Sequence, residues 1–182
     1  MQEESKWLQN LKMQRVRKDK FFKNDEKSPL PEDEKEEFDG LDYFEPNPDL
    51  RFELELNEFD EKNPIEVNDT AGNVRDMLVW GEFNFQIDDC DCTLQAYKSR
   101  VGEERLFVPY KDETNGQESY GAGRYLDLYY DRHQTKEGKW LLDFNRSTLP
   151  WCAFSEKYAC PYVPQENWLE VEIRAGEKNY EH

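Results

Sequence analysis

The sequence predicts a mainly β protein, an antiparallel sandwich or partly closed barrel carrying one N-terminal α-helix. Three observations lead there. Phe52, Leu54 and Leu56 alternate with Glu53 and Glu55, the period-2 pattern of a half-buried strand. Comparable short stretches recur after Leu50, about ten residues apart, with Gly- or Asp-containing turns between them and no helical periodicity. The long helical pattern lies before Asn24. A chain of 182 residues suits one domain with a genuine core.

Residues 3–23 read as the helix. Trp7, Leu8, Leu11, Phe21 and Phe22 project onto one arc about 140° wide. Arg15 and Lys18 interrupt this stripe and are expected to pack through their aliphatic stems, while Met13 and Val16 lie off it. Residues 1–24 are therefore expected to dock on the body, the alternative being a partner-binding or membrane-surface helix. Residues 25–49 mix Pro29, Pro31, Pro46 and Pro48 with acids, which forbids long regular structure and predicts an extended connector. Phe38, Leu41, Tyr43 and Phe44 are expected to pin it. In the β body, residues 50–182, strands are expected at 52–56, 74–80, 82–87, 93–98, 105–110, 124–130, 139–144 and 168–174. His133 to Gly138 reads as a hairpin tip.

Charge narrows the partners. The formal net charge is −17, and residues 50–182 alone hold 15 basic against 27 acidic residues. A field of that sign repels phosphate backbones, so nucleic acid is not an expected partner of the body. The basic stretch 6–23 has an acidic neighbour at 25–49 that can neutralise it. Such acidity suits solubility or a salty cytoplasm. No run approaches the roughly 18 apolar residues that span a bilayer. The start Met1-Gln2-Glu3-Glu4-Ser5-Lys6 lacks the apolar core of a secretory signal, so a cytoplasmic location is expected.

Two polar segments hold the candidate chemistry. The first, Asp112 to Arg124, contains Gly116, Gly121 and Gly123, which permit positive φ or close backbone approach. It matches neither a phosphate loop nor a dinucleotide fingerprint, because Gly121-Ala122-Gly123-Arg124 feeds a strand. Arg124 shares a strand face with Leu126 and Leu128 and must be paired if that face is the core. Asp112, Glu118 and Asp143 are the available carboxylates. Arg124 is then either a structural ion-pair hub or the anchor of an anionic ligand.

The second segment places Asp143 and Asn145 on one face, then runs irregularly through Pro150, Pro161 and Pro164. A ligand site between the two segments would be lined by Glu118, Tyr120, Arg124, Asp143 and Asn145, with Tyr125 or Trp151 as an apolar wall. Glu118 or Asp143 would be its general base. The competing reading is a structural or interaction module, in which these residues fix the two loops internally. Its partner surface would be the acidic 25–49 segment or the N-terminal helix.

Four cysteines, Cys90, Cys92, Cys152 and Cys160, leave a metal-binding alternative open. Their spacing fits structural zinc poorly, and only His133 and His182 are available to help. No metal or cofactor is expected. Cys152 and Cys160 form a candidate thiol site, as a disulfide or as free thiols. No His adjoins either motif, so nothing in the sequence activates a nucleophilic Cys.

The chain resembles the family catalogued as domain of unknown function 1684. The resemblance rests on Thr114, Gly116, Glu118, Tyr120, Gly123 and Arg124, then Asp143, Phe144, Asn145, Pro150, Cys152, Cys160, Pro161 and Asn167. It extends from the Trp-containing helix to Ala175-Gly176-Glu177-Lys178. Tyr162-Val163-Pro164 departs from the Pro-rich run usual there, and Cys90 and Cys92 fall outside the pattern. Many relatives look exported or lipid-anchored. The family implies no catalytic assignment.

Overall fold

The structure is a computed structural model that describes residues 1–181; His182 lies outside the described residues. Helix α1, Gln2–Asn24, buries Trp7, Leu11 and Phe22, while Met13 and Val16 stay about half exposed. Glu3 and Glu4 occupy its first turn and Lys23 its last, which suits the helix dipole. The two cations on its packed face are used as cations. The Arg15 guanidinium lies 4.3 Å over the Tyr43 ring and donates to the Phe44 carbonyl, and Lys18 pairs with Glu177.

The connector follows. Phe38, Leu41 and Phe44 are buried in it, and it holds one helical turn, α2, Glu32–Lys35. Leu30, Phe38 and Leu41 join Phe22, Leu149 and Phe154 in a small apolar cluster. Asn145 fixes the far end of the connector. Its Oδ1 accepts the Asn47 N–H and its Nδ2 donates to the Asn47 carbonyl, both at 2.8 Å.

The body is two antiparallel sheets. β1, Arg51–Leu54, pairs with β8, Trp140–Asp143. The larger sheet takes β2, Asn57–Glu58; β3, Pro64–Asn68; β4, Val74–Ile87; β5, Cys90–Lys98; β6, Arg105–Tyr110; and β7, Arg124–Tyr129. Its order is β2-β4-β5-β6-β7, with β3 also on β4. The sheet does not close, so the architecture is sandwich-like. Phe83, Leu94, Leu106, Val108, Leu126 and Leu128 pack with Trp140, Leu142 and Phe144 in the main core. Asn167 ties the sheet to the C-terminal segment: its side chain bonds the Gln95 N–H, the Gln95 carbonyl and the Pro109 carbonyl.

Several expected elements differ. The stretches 74–80 and 82–87 form one strand, because the chain passes a bulge at Trp80, between Val79 and Gly81, and not a turn. A Cβ on Gly81 would sit 2.6 Å from the Asn57 carbonyl oxygen, so the glycine admits β2. Strand β3 starts at a proline, a position that needs no ladder donor. His133 ends a short helix, α3, Tyr130–His133, and the turn proper is Thr135 to Gly138, where Gly138 has φ 85°.

The expected strand at 168–174 is irregular, although Leu169 and Ile173 are buried. Backbone bonds to residues 111–113 reach only as far as Val171, and the polar groups of Ile173 go elsewhere. The Ile173 N–H donates to Asp112, and the Ile173 carbonyl accepts from Arg124. A residue whose amide and carbonyl are both taken by side chains has nothing left for a ladder.

Gly123 delivers Arg124 into the core, with φ 102°. A Cβ there would lie 2.6 Å from the Tyr110 carbonyl oxygen and 2.8 Å from Val163. Gly123→Ala should cost about 2–3 kcal/mol in urea unfolding. A loss below about 0.5 kcal/mol would show that the backbone yields freely here.

Candidate functional site

Arg124 is the most deeply placed of the candidate residues. Its side chain and that of Asp112 are both 0% exposed, with Nη2 3.1 Å from the Asp112 carboxylate. Nη2 also donates to the Ile173 carbonyl at 2.7 Å. Nη1 donates to the carbonyls of Ala175 and Glu177. Nε is buried without a hydrogen-bond partner, and the guanidinium lies 5.5 Å from the Phe44 ring centre and 5.3 Å from that of Tyr110. Asp112 is equally occupied: its second oxygen accepts the Ile173 N–H, the Thr114 N–H and the Thr114 hydroxyl. The guanidinium therefore has no path to a ligand.

The other four do not gather around it. Asp143 is occupied on both oxygens, by Trp7 Nε1 at 2.7 Å, Arg146 Nε at 3.2 Å and the Asn145 amides. Asn145 divides its side chain between Asn47 and Asp143. Glu118 forms a surface pair with Arg174 at 2.9 Å. Tyr120 packs on the small cluster and approaches Cys152 at 3.9 Å. Of the suggested walls, Tyr125 donates to the Pro161 carbonyl, and Trp151 is 39% exposed. Asp143 and Glu118 are thus engaged as acceptors, which argues against either as a general base.

The cysteines divide into Cys90 and Cys92 on β5 and the pair Cys152 and Cys160 on the irregular segment; all four are free. Among the described residues, no three His, Cys, Asp or Glu are placed to hold a metal ion. No helix of the described residues is long and apolar enough to cross a membrane.

An open concavity lies elsewhere, between α1, β7 and the start of β1. It holds about 580 Å³ and is lined by Arg17, Arg51, Arg132 and Arg146, with His133 beside them. Trp7, Met13 and Leu141 contribute apolar surface, and Asp127 and Asp143 are its carboxylates. Both acids are neutralised locally. Asp143 is held as above, and Asp127 pairs with Arg105 at 3.1 Å. Burial raises the Asp127 carboxyl pKa, against the lowering effect of Arg105.

β7 is the edge of its sheet, and strand alternation fixes its free amides. The Tyr125 N–H is taken by the Thr148 carbonyl and the Tyr129 N–H by His133 Nδ1. Asp127, two residues from each, turns its backbone N–H to the same free edge. His133 accepts at Nδ1, so in its neutral form it carries its proton on Nε2. Burial, then Arg146 and Arg132, push its pKa below the ordinary value.

Sequence reasoning missed this concavity because its arginines come from four separate elements. Arg17 and Arg51 each looked like one more surface charge. Glu177 was missed as well. It is buried and spans Lys18 on α1 and the Leu149 N–H at 2.7 Å, yet the sequence shows only a charged residue near a terminus.

Fold and buried network together define a helix-capped β sandwich whose C-terminal segment is tied down by side chains. The chain belongs to the family described as protein of unknown function (DUF1684), which matches residues 36–178. A solution NMR structure of an uncharacterized protein from Haloarcula marismortui is similar at 36% identity, with a TM-score of 0.74. The similarity covers 98% of this chain and 97% of that one. No curated protein matches.

The lowered pKa of His133 sets a sign. The unfolded chain binds its proton more readily, so this contribution to stability is complete above the ordinary value of 6.5 and is lost as the pH falls through the folded one. Urea midpoints measured at about pH 7.5 and about pH 5.5 should therefore differ more for wild type than for His133→Asn. Equal differences would contradict the assignment.

Proposed function

We propose that the protein binds a small anionic ligand in the arginine-lined concavity between α1 and the free edge of β7. The observation that carries this reading is four arginines lining one opening in a chain of net charge −17. Arg146 pairs with Asp143 and Arg132 with Asp131, while Arg17 and Arg51 have no carboxylate partner among the described residues, and Asp127 is held by Arg105. Guanidiniums present forked donors that match carboxylate and phosphate oxygens. The volume of about 580 Å³ falls in the usual range for small-molecule sites. Asp127 and His133 also line the concavity, and the Asp127 N–H and His133 Nε2 would add directional donors to it. Trp7, Met13 and Leu141 would cover an apolar portion, so the ligand class is a compact organic acid or phosphoester.

The sealing of Arg124 favours the structural reading for the 112–124 loop itself. That network fixes the backbone and leaves the concavity available, so the two readings apply to different parts of the molecule.

Arg17 and Arg51 form no side-chain hydrogen bond or ion pair among the described residues, so replacing them should spare the fold. Thermal melts with inorganic phosphate, citrate and a phosphosugar should stabilise wild type by about 2.7 kcal/mol at a hundredfold excess over Kd for the anion that fits. The Arg17→Gln/Arg51→Gln protein should melt like unliganded wild type and show at least a tenfold weaker response. If none of these anions shifts wild type, or the variant responds equally, the reading fails.

A further inference from the structure

The irregular segment after β8 carries a second constellation, around Cys152 and Cys160. Cys152 sits in a single 3-10 turn, Trp151–Ala153, that follows Pro150. Cys160 is stapled to the β3–β4 turn. Its N–H donates to Thr70 Oγ1 at 3.1 Å, and its carbonyl accepts the Thr70 N–H at 3.0 Å. The two cysteines face each other across this frame, and the Cys152 N–H donates to Cys160 Sγ at 3.3 Å. Tyr120 brings its hydroxyl to 3.9 Å from Cys152 Sγ. Cys160 is buried and Cys152 is half-buried, so Cys152 is the more accessible of the pair.

We propose that Cys152 and Cys160 act as a peroxide-reducing dithiol, with Cys152 as the attacking sulfur and Cys160 as the resolving one. The neighbouring Cys160 thiol and the Tyr120 hydroxyl lower the pKa of the Cys152 thiol against the effect of burial. The Cys160 thiol is correspondingly raised by the same contact and by burial. A thiolate is the reactive form, and an accessible thiolate next to a second thiol is the arrangement that makes oxidation reversible.

The chemistry balances with a hydroperoxide as co-reactant. The Cys152 thiolate attacks one peroxide oxygen, an S–O bond forms, the O–O bond breaks, and the departing hydroxide or alkoxide is protonated. Cys152 is then a sulfenic acid. Cys160 sulfur attacks Cys152 sulfur, an S–S bond forms, the S–O bond breaks, and the hydroxide leaves as water with the Cys160 proton. Two thiols lose two electrons, and the peroxide becomes water and an alcohol, or two waters.

Cys90 is exposed in the same chain and serves as an internal reference. Wild-type protein is treated with limiting hydrogen peroxide at neutral pH, quenched with an alkylating agent and mapped by mass spectrometry. Cys152 and Cys160 should be recovered disulfide-linked while Cys90 and Cys92 remain reduced, with Cys152 reacting about tenfold faster than Cys90. In Cys160→Ser the reaction should stop at a dimedone-reactive sulfenic acid on Cys152. Oxidation of Cys90 at the same rate as Cys152 or faster, or a Cys160→Ser protein with no trapped sulfenic acid, would overturn the proposal.

Discussion

A guanidinium with no solvent contact has to be neutralised where it sits, and Arg124 is neutralised by Asp112 at 3.1 Å. Taking both ions out of water is costly, so the pair persists only because nearly every remaining donor and acceptor is filled. The partners that fill them are mostly backbone groups of residues 173–177. The pair therefore does what a strand ladder would do, with side chains. It orders a C-terminal segment that carries buried Ile173 and Ala175 but forms no strand.

The consequences spread outward by contact. Residues 173–177, once fixed, place Glu177, whose carboxylate takes the Leu149 N–H and Lys18 of α1. Trp7 and Gln14 tie the same helix to Asp143 and Arg146. The docked helix forms one wall of the arginine-lined concavity. The Leu149 end of the path leads into the turn at Trp151–Ala153, where Cys152 faces Cys160. The proposed anion site and the proposed thiol site thus both lean on a frame held by Arg124 and Asp112, although neither uses them chemically.

Local pattern revealed what local physics controls. The helix at 3–23, the strand at 105–110 and the strand beginning at Arg124 follow from periodicity, and the observed elements are Gln2–Asn24, Arg105–Tyr110 and Arg124–Tyr129. The alternation that put Arg124 on the face of Leu126 and Leu128 also required it to be paired, and Asp112 was one of three acids in view. Nothing in the sequence chose among those acids, since the choice depends on how the 112–124 loop folds back. The 168–174 stretch misled because its apolar residues are buried as a strand's would be, while its backbone partners lie far away in sequence. The concavity was invisible for a related reason: residues 17, 51, 132 and 146 meet only after the sheets and α1 are assembled.

Arg124 and Asp112 act as one structural unit. A double-mutant cycle in urea unfolding, using Arg124→Ala, Asp112→Ala and the double variant, tests it most directly. Each single change strands a buried charge and should cost about 3–5 kcal/mol, while the double variant should lose less than the sum by about 2 kcal/mol or more. Losses that add to within about 0.5 kcal/mol, or an Arg124→Ala protein as stable as wild type, would contradict the account.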